Sequence, residues 1–410
     1  MSRSIPIKMF CSDDMSIYIH VPFCRTKCAY CDFYSLVPPY GPLLDSVASK
    51  LIEEVSYVAS DRSKPFETVF IGGGNPGCLP IASLQKLIDA VFLCGHSGEC
   101  SIEINPESLD RRVERLIESG VTRLSIGLQS FDPENLALIG RNAPLDATLK
   151  GIRTALKLRD TTKIDLNFDL ITCIPGQTVV GAISDIDRLV ETTGPEHISL
   201  YCLTIEENTP LAKRIDRGEL KAMDDLAQSD ILSACWERLA MHGYDHYEVS
   251  NFARTDKKTH YCQHNLRYWQ AKSHIGIGPT AVGTAYAGSS AIRMKGVGDA
   301  ALYAAEGIFS NYSFERLEMN ELIEEFLIVS LRTRWGIEKK VFNERFGYEF
   351  DEAFSSAIER YDSIWKDLVV NDTKRFKLTE KGMMVLDSIL IALATAFEIS
   401  NTKGREHIDT

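Results

Sequence analysis

Six short runs rich in β-branched and aromatic residues recur over about 190 residues: "SIYIHV", "ETVFIGG", "CSIEIN", "RLSIGLQS", "KIDLNFDLI" and "HISLYCLTI". Between them lie segments with apolar positions at helical spacing, such as "PLLDSVASKLIEEVSYVAS" and "IASLQKLIDAVFLC". Largely apolar strands separated by amphipathic helices predict parallel β/α units with right-handed crossovers. Six such units suggest a partial or open barrel. In barrels of this type the chemistry sits on the loops that follow the strands.

The pattern changes towards the C-terminus. "NELIEEFLIVSLRTRW", "DEAFSSAIERYDSIW" and "KGMMVLDSILIALATAF" place apolar residues on one helical face. "FKLTEKG" adds a short strand before the last helix. The expected organisation is an N-terminal extension at 1–15 and barrel units over 16–240. A connecting segment at 241–312 then leads to a mainly helical, winged-helix-like domain at 313–410. That domain covers the open side of the barrel or carries a partner surface.

Composition narrows the partners. The 410 residues are 44% hydrophobic and 25% charged, ordinary for a globular chain. A net charge of -12 argues against a nucleic-acid partner, which calls for clustered Lys and Arg. No apolar run reaches the roughly 18 residues that a membrane helix needs. "MSRSIPIKMFCSDDMS" lacks the apolar core of a signal peptide. The expectation is a cytoplasmic protein that is not integral to a membrane.

Of eleven cysteines, Cys173, Cys202 and Cys235 sit in apolar segments and read as small buried hydrophobes. A disulfide framework is not expected in a long cytoplasmic chain. "HVPFCRTKCAYCDFYS" differs, with Cys24, Cys28 and Cys31 within eight positions. A structural zinc site wants four ligands, and no second Cys-x2-Cys follows. His20 is nearby, but in an apolar strand run, where a packed histidine is the commoner outcome. An iron–sulfur cluster fits better. Three thiolates on a four-iron cube leave one iron open.

Other motifs fall at strand ends. "FIGGGNPGCL" sets Gly72, Gly73 and Gly74 between a strand and a helix, where free N–H groups could meet a carboxylate or phosphate. A plain tight βα turn would look the same. Glu103, Gln129 and Asp169 end apolar strands, and Arg141 follows on a helical stretch. Singly, each reads as strand-end solvation. Together they suit a polar pocket mouth. "QHNLRYW" sets His264 among Asn265, Tyr268 and Trp269, a candidate axial heme ligand with aromatic walls. By residue type alone a buried structural histidine is favoured, and His260 and Cys262 are rival ligands.

Cys-x3-Cys-x2-Cys, with "YIHVPFCRTKCAYCDFYS" around it, resembles the radical S-adenosylmethionine (SAM) proteins. More narrowly, it resembles the branch of oxygen-independent coproporphyrinogen III oxidase, and within it the heme chaperones. The resemblance runs from about residue 17 into the C-terminal domain. It implies a (β/α)6 barrel, a [4Fe–4S] cluster on the three cysteines, and SAM chelated to the open iron by its amino and carboxyl groups. It further implies that Gly73 and Gly74 contact the amino end of SAM, and that Glu103, Gln129, Arg141 and Asp169 complete its pocket. Tyr18, Tyr30 and Thr204 stand where relatives touch the cluster or SAM. The His-Asn-x-x-Tyr-Trp pattern implies heme binding at His264 and a heme-accepting partner protein.

The chain departs from that family at several positions. Asn75 stands where relatives usually have Thr. Val282, in "GIGPTAVGTA", replaces a usual histidine, and "TCIPGQT" lacks a usual Tyr-Gly pair. Phe33 discriminates between functions, because the oxidases carry a further Cys two residues past the third ligand. The resemblance therefore implies a heme chaperone, with coproporphyrinogen III oxidase as the alternative. A tRNA-modifying radical SAM enzyme is disfavoured by the charge and by the lack of a second cluster motif.

Overall fold

Alternation along the strands divides the core from the site. The computed structural model describes residues 6–37, 41–96, 98–110, 112–256 and 258–406. The start of the expected extension (1–5) and the end of the expected C-terminal region (407–410) lie outside them. Strands β1 (Ser16–Val21), β2 (Thr68–Gly73), β3 (Glu99–Ile104), β4 (Arg123–Gln129), β5 (Asp165–Thr172) and β6 (His197–Cys202) pair in parallel and in sequence order. Helices such as Pro42–Ser60, Ile81–Val91, Leu145–Thr162 and Val179–Thr193 connect them. This is the partial six-unit barrel expected from the sequence.

One parity of each strand is apolar and buried beneath the helices: Ile17 and Ile19, Val69 and Ile71, Leu124 and Ile126, Leu166 and Phe168. The other parity is polar, and register partners carry it from strand to strand as Glu103, Ser125, Asn167 and His197. Side chains two apart share a face. The barrel interior is therefore a polar surface built into otherwise apolar runs.

The segment 241–312 extends this same sheet at both edges. β7 (Asp245–Glu248) and β8 (Asn251–Ala253) add antiparallel strands beside β6. β9 (His274–Ile277) pairs parallel with β1, and β10 (Val282–Ala287), β11 (Ser290–Gly296) and β12 (Tyr312–Leu317) follow antiparallel. The result is one twelve-stranded sheet. The helix Gln263–Trp269 lies across its inner face near the start of β2 and β3. Glu99 holds that helix in place by accepting N–H bonds from Gln263 at 3.1 Å and His264 at 3.0 Å.

Beyond residue 317 the chain is mainly helical, with a small sheet of β13 (Ile337–Glu338), β14 (Val369–Asn371) and β15 (Arg375–Leu378), ordered β13-β15-β14. Phe342, Phe350, Phe354 and Phe376 form its buried centre. The domain docks on the barrel floor, where Arg332 stacks 4.6 Å over Trp269 and its carbonyl accepts the Val249 N–H. Among the described residues no helix is long and apolar enough to cross a membrane.

Candidate functional site

The cysteine loop is pinned by backbone bonds. Cys24 N–H donates to Leu36 O at 3.0 Å, and Leu36 N–H to Pro22 O at 2.9 Å. Ala29 is held on both sides: its N–H donates to Ile139 O, and its carbonyl accepts from Leu211 N–H. Such a loop presents its side chains from a fixed frame, not from a mobile tether.

Cys24, Cys28 and Cys31 open onto a cavity of about 480 Å³ at the C-terminal ends of the strands. Gly73 and Gly74 form one wall, with Glu103 and Gln129 from the next strands. Arg141, Asp169, Tyr30 and Thr204 close the far side. Arg141 donates from Nη2 to Gly127 O at 2.6 Å, and its Nη1 lies 3.9 Å from Cys28 Sγ. Gln129 sits at a register slip of β4 against β5, with φ +73°, which turns its side chain to the cavity rim.

Two carboxyls of the cavity are pushed upward. Burial, with the neighbouring Asp169 charge, raises Glu103 to about 8. Burial raises Asp169 to about 6, against hydrogen bonds from Asn167 and Ser199. Such shifts are typical of sites prepared for a charged ligand. Burial also pushes the Cys24 thiol up to about 11, so a thiolate there depends on a bound cation.

The glycine turn does not offer free amides. Gly73 N–H donates to Glu103 Oε2 at 3.0 Å, Gly74 N–H to Val21 O at 2.8 Å, and Asn75 N–H to Phe23 O at 2.6 Å. Its glycines permit close packing instead. A Cβ on Gly74 would stand 2.4 Å from the Phe23 carbonyl oxygen.

Several of the residues singled out from sequence, Asn75, Tyr18 and His264 among them, lie away from this cavity. Asn75 is buried, accepts the Gly77 N–H at 3.0 Å and donates to Ser108 Oγ at 3.1 Å, so its side chain is occupied in joining two loops. Tyr18 and His264 line a separate interior chamber of about 250 Å³. That chamber shares Glu103, Ser125 and Tyr201 with the first cavity. His264 is 1% exposed, with Nδ1 2.8 Å from Thr68 Oγ1 and Nε2 2.8 Å from Tyr268 Oη. His260 faces Asp165 at 3.0 Å, and Cys262 Sγ faces Glu99 at 3.5 Å, both on the floor. Sequence reasoning missed Ser125 and Tyr201. Strand parity would have found them, since each lies an even number of positions from a cavity residue on its own face.

A third cavity, of about 330 Å³, opens beside β1 and β9. Tyr18, Phe33, Tyr34 and Tyr268 supply aromatic walls, with His20, His274 and Val282 between them. Phe33 is 70% exposed and belongs to the walls of this cavity and of the cysteine cavity.

Among the described residues no three His, Cys, Asp or Glu side chains are grouped so as to hold a single metal ion. A four-iron cube distributes its thiolates over separate irons. Three thiols facing a cavity with a close-packed glycine wall, a guanidinium and two carboxyls fit a cluster and SAM.

Comparison with known proteins agrees. Residues 18–189 match the radical SAM superfamily model, and residues 317–385 match the HemN C-terminal domain. The heme chaperone HemW of Lactococcus lactis is 31% identical over 90% of this chain and 94% of its own. That of Bacillus subtilis is 30% identical over 90% and 96%. Among solved structures, the coproporphyrinogen III oxidase HemN of Escherichia coli, a radical SAM enzyme, superposes with TM-score 0.76 at 20% identity, covering 95% of this chain and 92% of that one. It shares the fold. A radical SAM domain implies a [4Fe–4S] cluster and SAM. By its identity to these chaperones along nearly its whole length, the chain belongs to the HemW family of radical SAM proteins.

Proposed function

We propose that this protein is a cytoplasmic heme chaperone that holds a [4Fe–4S] cluster on Cys24, Cys28 and Cys31, binds SAM in the adjoining cavity, and delivers heme to an acceptor protein. Held by these three thiolates, a cluster would supply an open iron for SAM's amino and carboxyl groups. Asp169 and Glu103 offer carboxyl oxygens to the ribose hydroxyls and cationic centres of SAM, and Arg141 offsets negative charge beside Cys28. Tyr30 gives an aromatic face for the adenine.

The observation that carries the chaperone reading over the oxidase reading is Phe33. It stands where the oxidases have a further Cys, and it exposes a large aromatic surface between two cavities. An exposed aromatic flanked by the rings of Tyr18, Tyr34 and Tyr268 suits a flat macrocycle.

The test is anaerobic cluster reconstitution followed by parallel heme titration and coproporphyrinogen turnover with SAM and a reductant. About one heme per chain and negligible decarboxylation are expected. Sustained decarboxylation would overturn the reading in favour of the oxidase.

A further inference from the structure

We propose that His274 is the axial ligand through which this chain holds heme, in the aromatic cavity beside Phe33. The inference rests on the heme-binding reading above and adds the site and the ligand.

An imidazole that ligates iron needs a neutral ring, one nitrogen free, and the other nitrogen donating to an acceptor that fixes the tautomer. The cavity of about 330 Å³ is lined by two histidines. His20 is unavailable, because its Nδ1 meets Tyr18 Oη at 2.9 Å and its Nε2 meets the Tyr34 carbonyl at 2.9 Å. His274 has the required arrangement. Its Nδ1 lies 3.2 Å from the Lys272 carbonyl, which can only accept, so Nδ1 carries the proton. Nε2 is then the lone-pair nitrogen, and among the described residues it has no hydrogen-bond partner. Burial lowers His274 to about 4, so that lone pair is unprotonated around neutral pH.

The frame is rigid. His274 opens β9, where it pairs with Ser16 of β1 and Thr284 of β10. Tyr268 packs edge-on against its ring at 4.7 Å. The residue is partly exposed, whereas His264 is sealed. For His264 to bind iron it would have to give up both Thr68 and Tyr268 and leave the barrel floor. His274 gives up nothing. The walls suit the ligand too, since Tyr18, Phe33, Tyr34 and Tyr268 offer aromatic surface. A cavity of this volume lies within the usual range for a bound organic ligand, and its exposed Phe33 side leaves room for a macrocycle larger than the cavity itself.

The test is titration of the reconstituted full chain with hemin, followed by absorption and electron paramagnetic resonance. It uses the wild type, His274→Ala, His274→Phe and His264→Ala. His274→Phe keeps a ring against Tyr268, so the fold is preserved while the ligating nitrogen is lost. The expected result is a shifted Soret band and at least tenfold weaker binding for both His274 variants. Added free imidazole should restore the wild-type spectrum in His274→Ala and not in His274→Phe. Wild-type spectra and affinity in both His274 variants would overturn the assignment while leaving heme binding itself in place. A Soret shift confined to His264→Ala would overturn it in favour of the floor histidine. A wild type that binds no hemin would overturn both this assignment and the reading on which it rests.

Discussion

His197 donates from Nδ1 to Oδ1 of Asn167 at 2.6 Å, and this contact fixes the direction of a hydrogen-bond chain from the barrel floor to the cysteine cavity. Because Asn167 accepts on Oδ1, its Nδ2 is left to donate to Asp169 Oδ1 and Ser125 Oγ, each at 2.8 Å. Because His197 donates from Nδ1, its Nε2 accepts the Tyr247 hydroxyl at 2.8 Å. Tyr247 Oη in turn accepts the Cys262 N–H at 3.2 Å, at the start of the helix that carries His264. A carboxylate held by a donor of fixed direction presents its other oxygen to a ligand without reorganisation.

Asn167→Leu is therefore expected to weaken SAM binding while leaving the cluster's absorbance intact. A hydrogen bond to a charged group is worth about 1.5–3 kcal/mol, which corresponds to roughly ten- to hundredfold in affinity. His197→Phe acts one bond further away and should show a smaller loss. Calorimetric titration of SAM into both reconstituted variants tests this, and equal affinities in wild type and both variants would refute the relay.

The raised carboxyl of Glu103 predicts a pH dependence of the protein without its cofactors. Its ordinary value is 4.5, and the folded value is about 8. Between these the folded state binds more protons than the unfolded state, so stability falls as pH rises through that window. The slope from one such group approaches about 1.4 kcal/mol per pH unit in mid-window. Glu103→Gln removes the titration and should flatten the stability profile between about pH 5 and 8. Urea unfolding at a series of pH values measures it, and parallel wild-type and Gln profiles would contradict the assignment.

The cluster prediction concerns which thiols matter. Cys24→Ala, Cys28→Ala and Cys31→Ala should each lose the reconstituted cluster, since one loop carries all three thiols to the cavity beside Gly73 and Gly74. Cys202, half-buried at the end of β6 and not the fully buried hydrophobe expected, also lines the cavity, but its thiol donates to Gln228 Oε1 at 3.5 Å. Cys94→Ala should keep full iron content, because its thiol bonds to the Val91 carbonyl at 3.6 Å, away from the cavity. Iron content unchanged in the triple alanine variant would remove the basis of the site.

Strand periodicity makes the barrel and much of its polar interior readable from the chain. Glu103 and Asp169 alternate with apolar residues that face the helices. The edge strands are a different matter. β7, β8 and β9 are only three or four residues long, too short for alternation to stand out, and their partners lie far away in sequence. β9 reaches β1 across more than 250 residues, as the pairing of Ser16 with His274 shows. The surroundings of His264 and Asn75 were hidden for another reason. Both carry side chains suited to ligands, but local partners, Thr68 and Tyr268 for one and Gly77 and Ser108 for the other, already satisfy them. Residue type gives chemistry, whereas availability depends on neighbours that only the fold assembles.

The tightest backbone crossing of the site gives the last prediction. Gly74 lies against Phe23, at the base of the cysteine loop, and an added Cβ would stand 2.4 Å from the carbonyl oxygen and 2.9 Å from the amide nitrogen. Neither backbone can yield freely, because Gly74 N–H is bonded to Val21 O and Asn75 N–H to Phe23 O. Gly74→Ala should therefore destabilise the protein by about 1–3 kcal/mol, as overpacking does elsewhere, and should lower iron loading by displacing Cys24. Gly176 supplies the contrast. Its φ of +86° disfavours any other residue, but an added Cβ there meets nothing within 4 Å. Gly176→Ala should cost about 1–2 kcal/mol from backbone conformation alone and leave iron loading at the wild-type level. Urea unfolding together with iron quantification separates the two effects. Full iron loading in Gly74→Ala would mean that the cysteine loop is not held in place by this crossing.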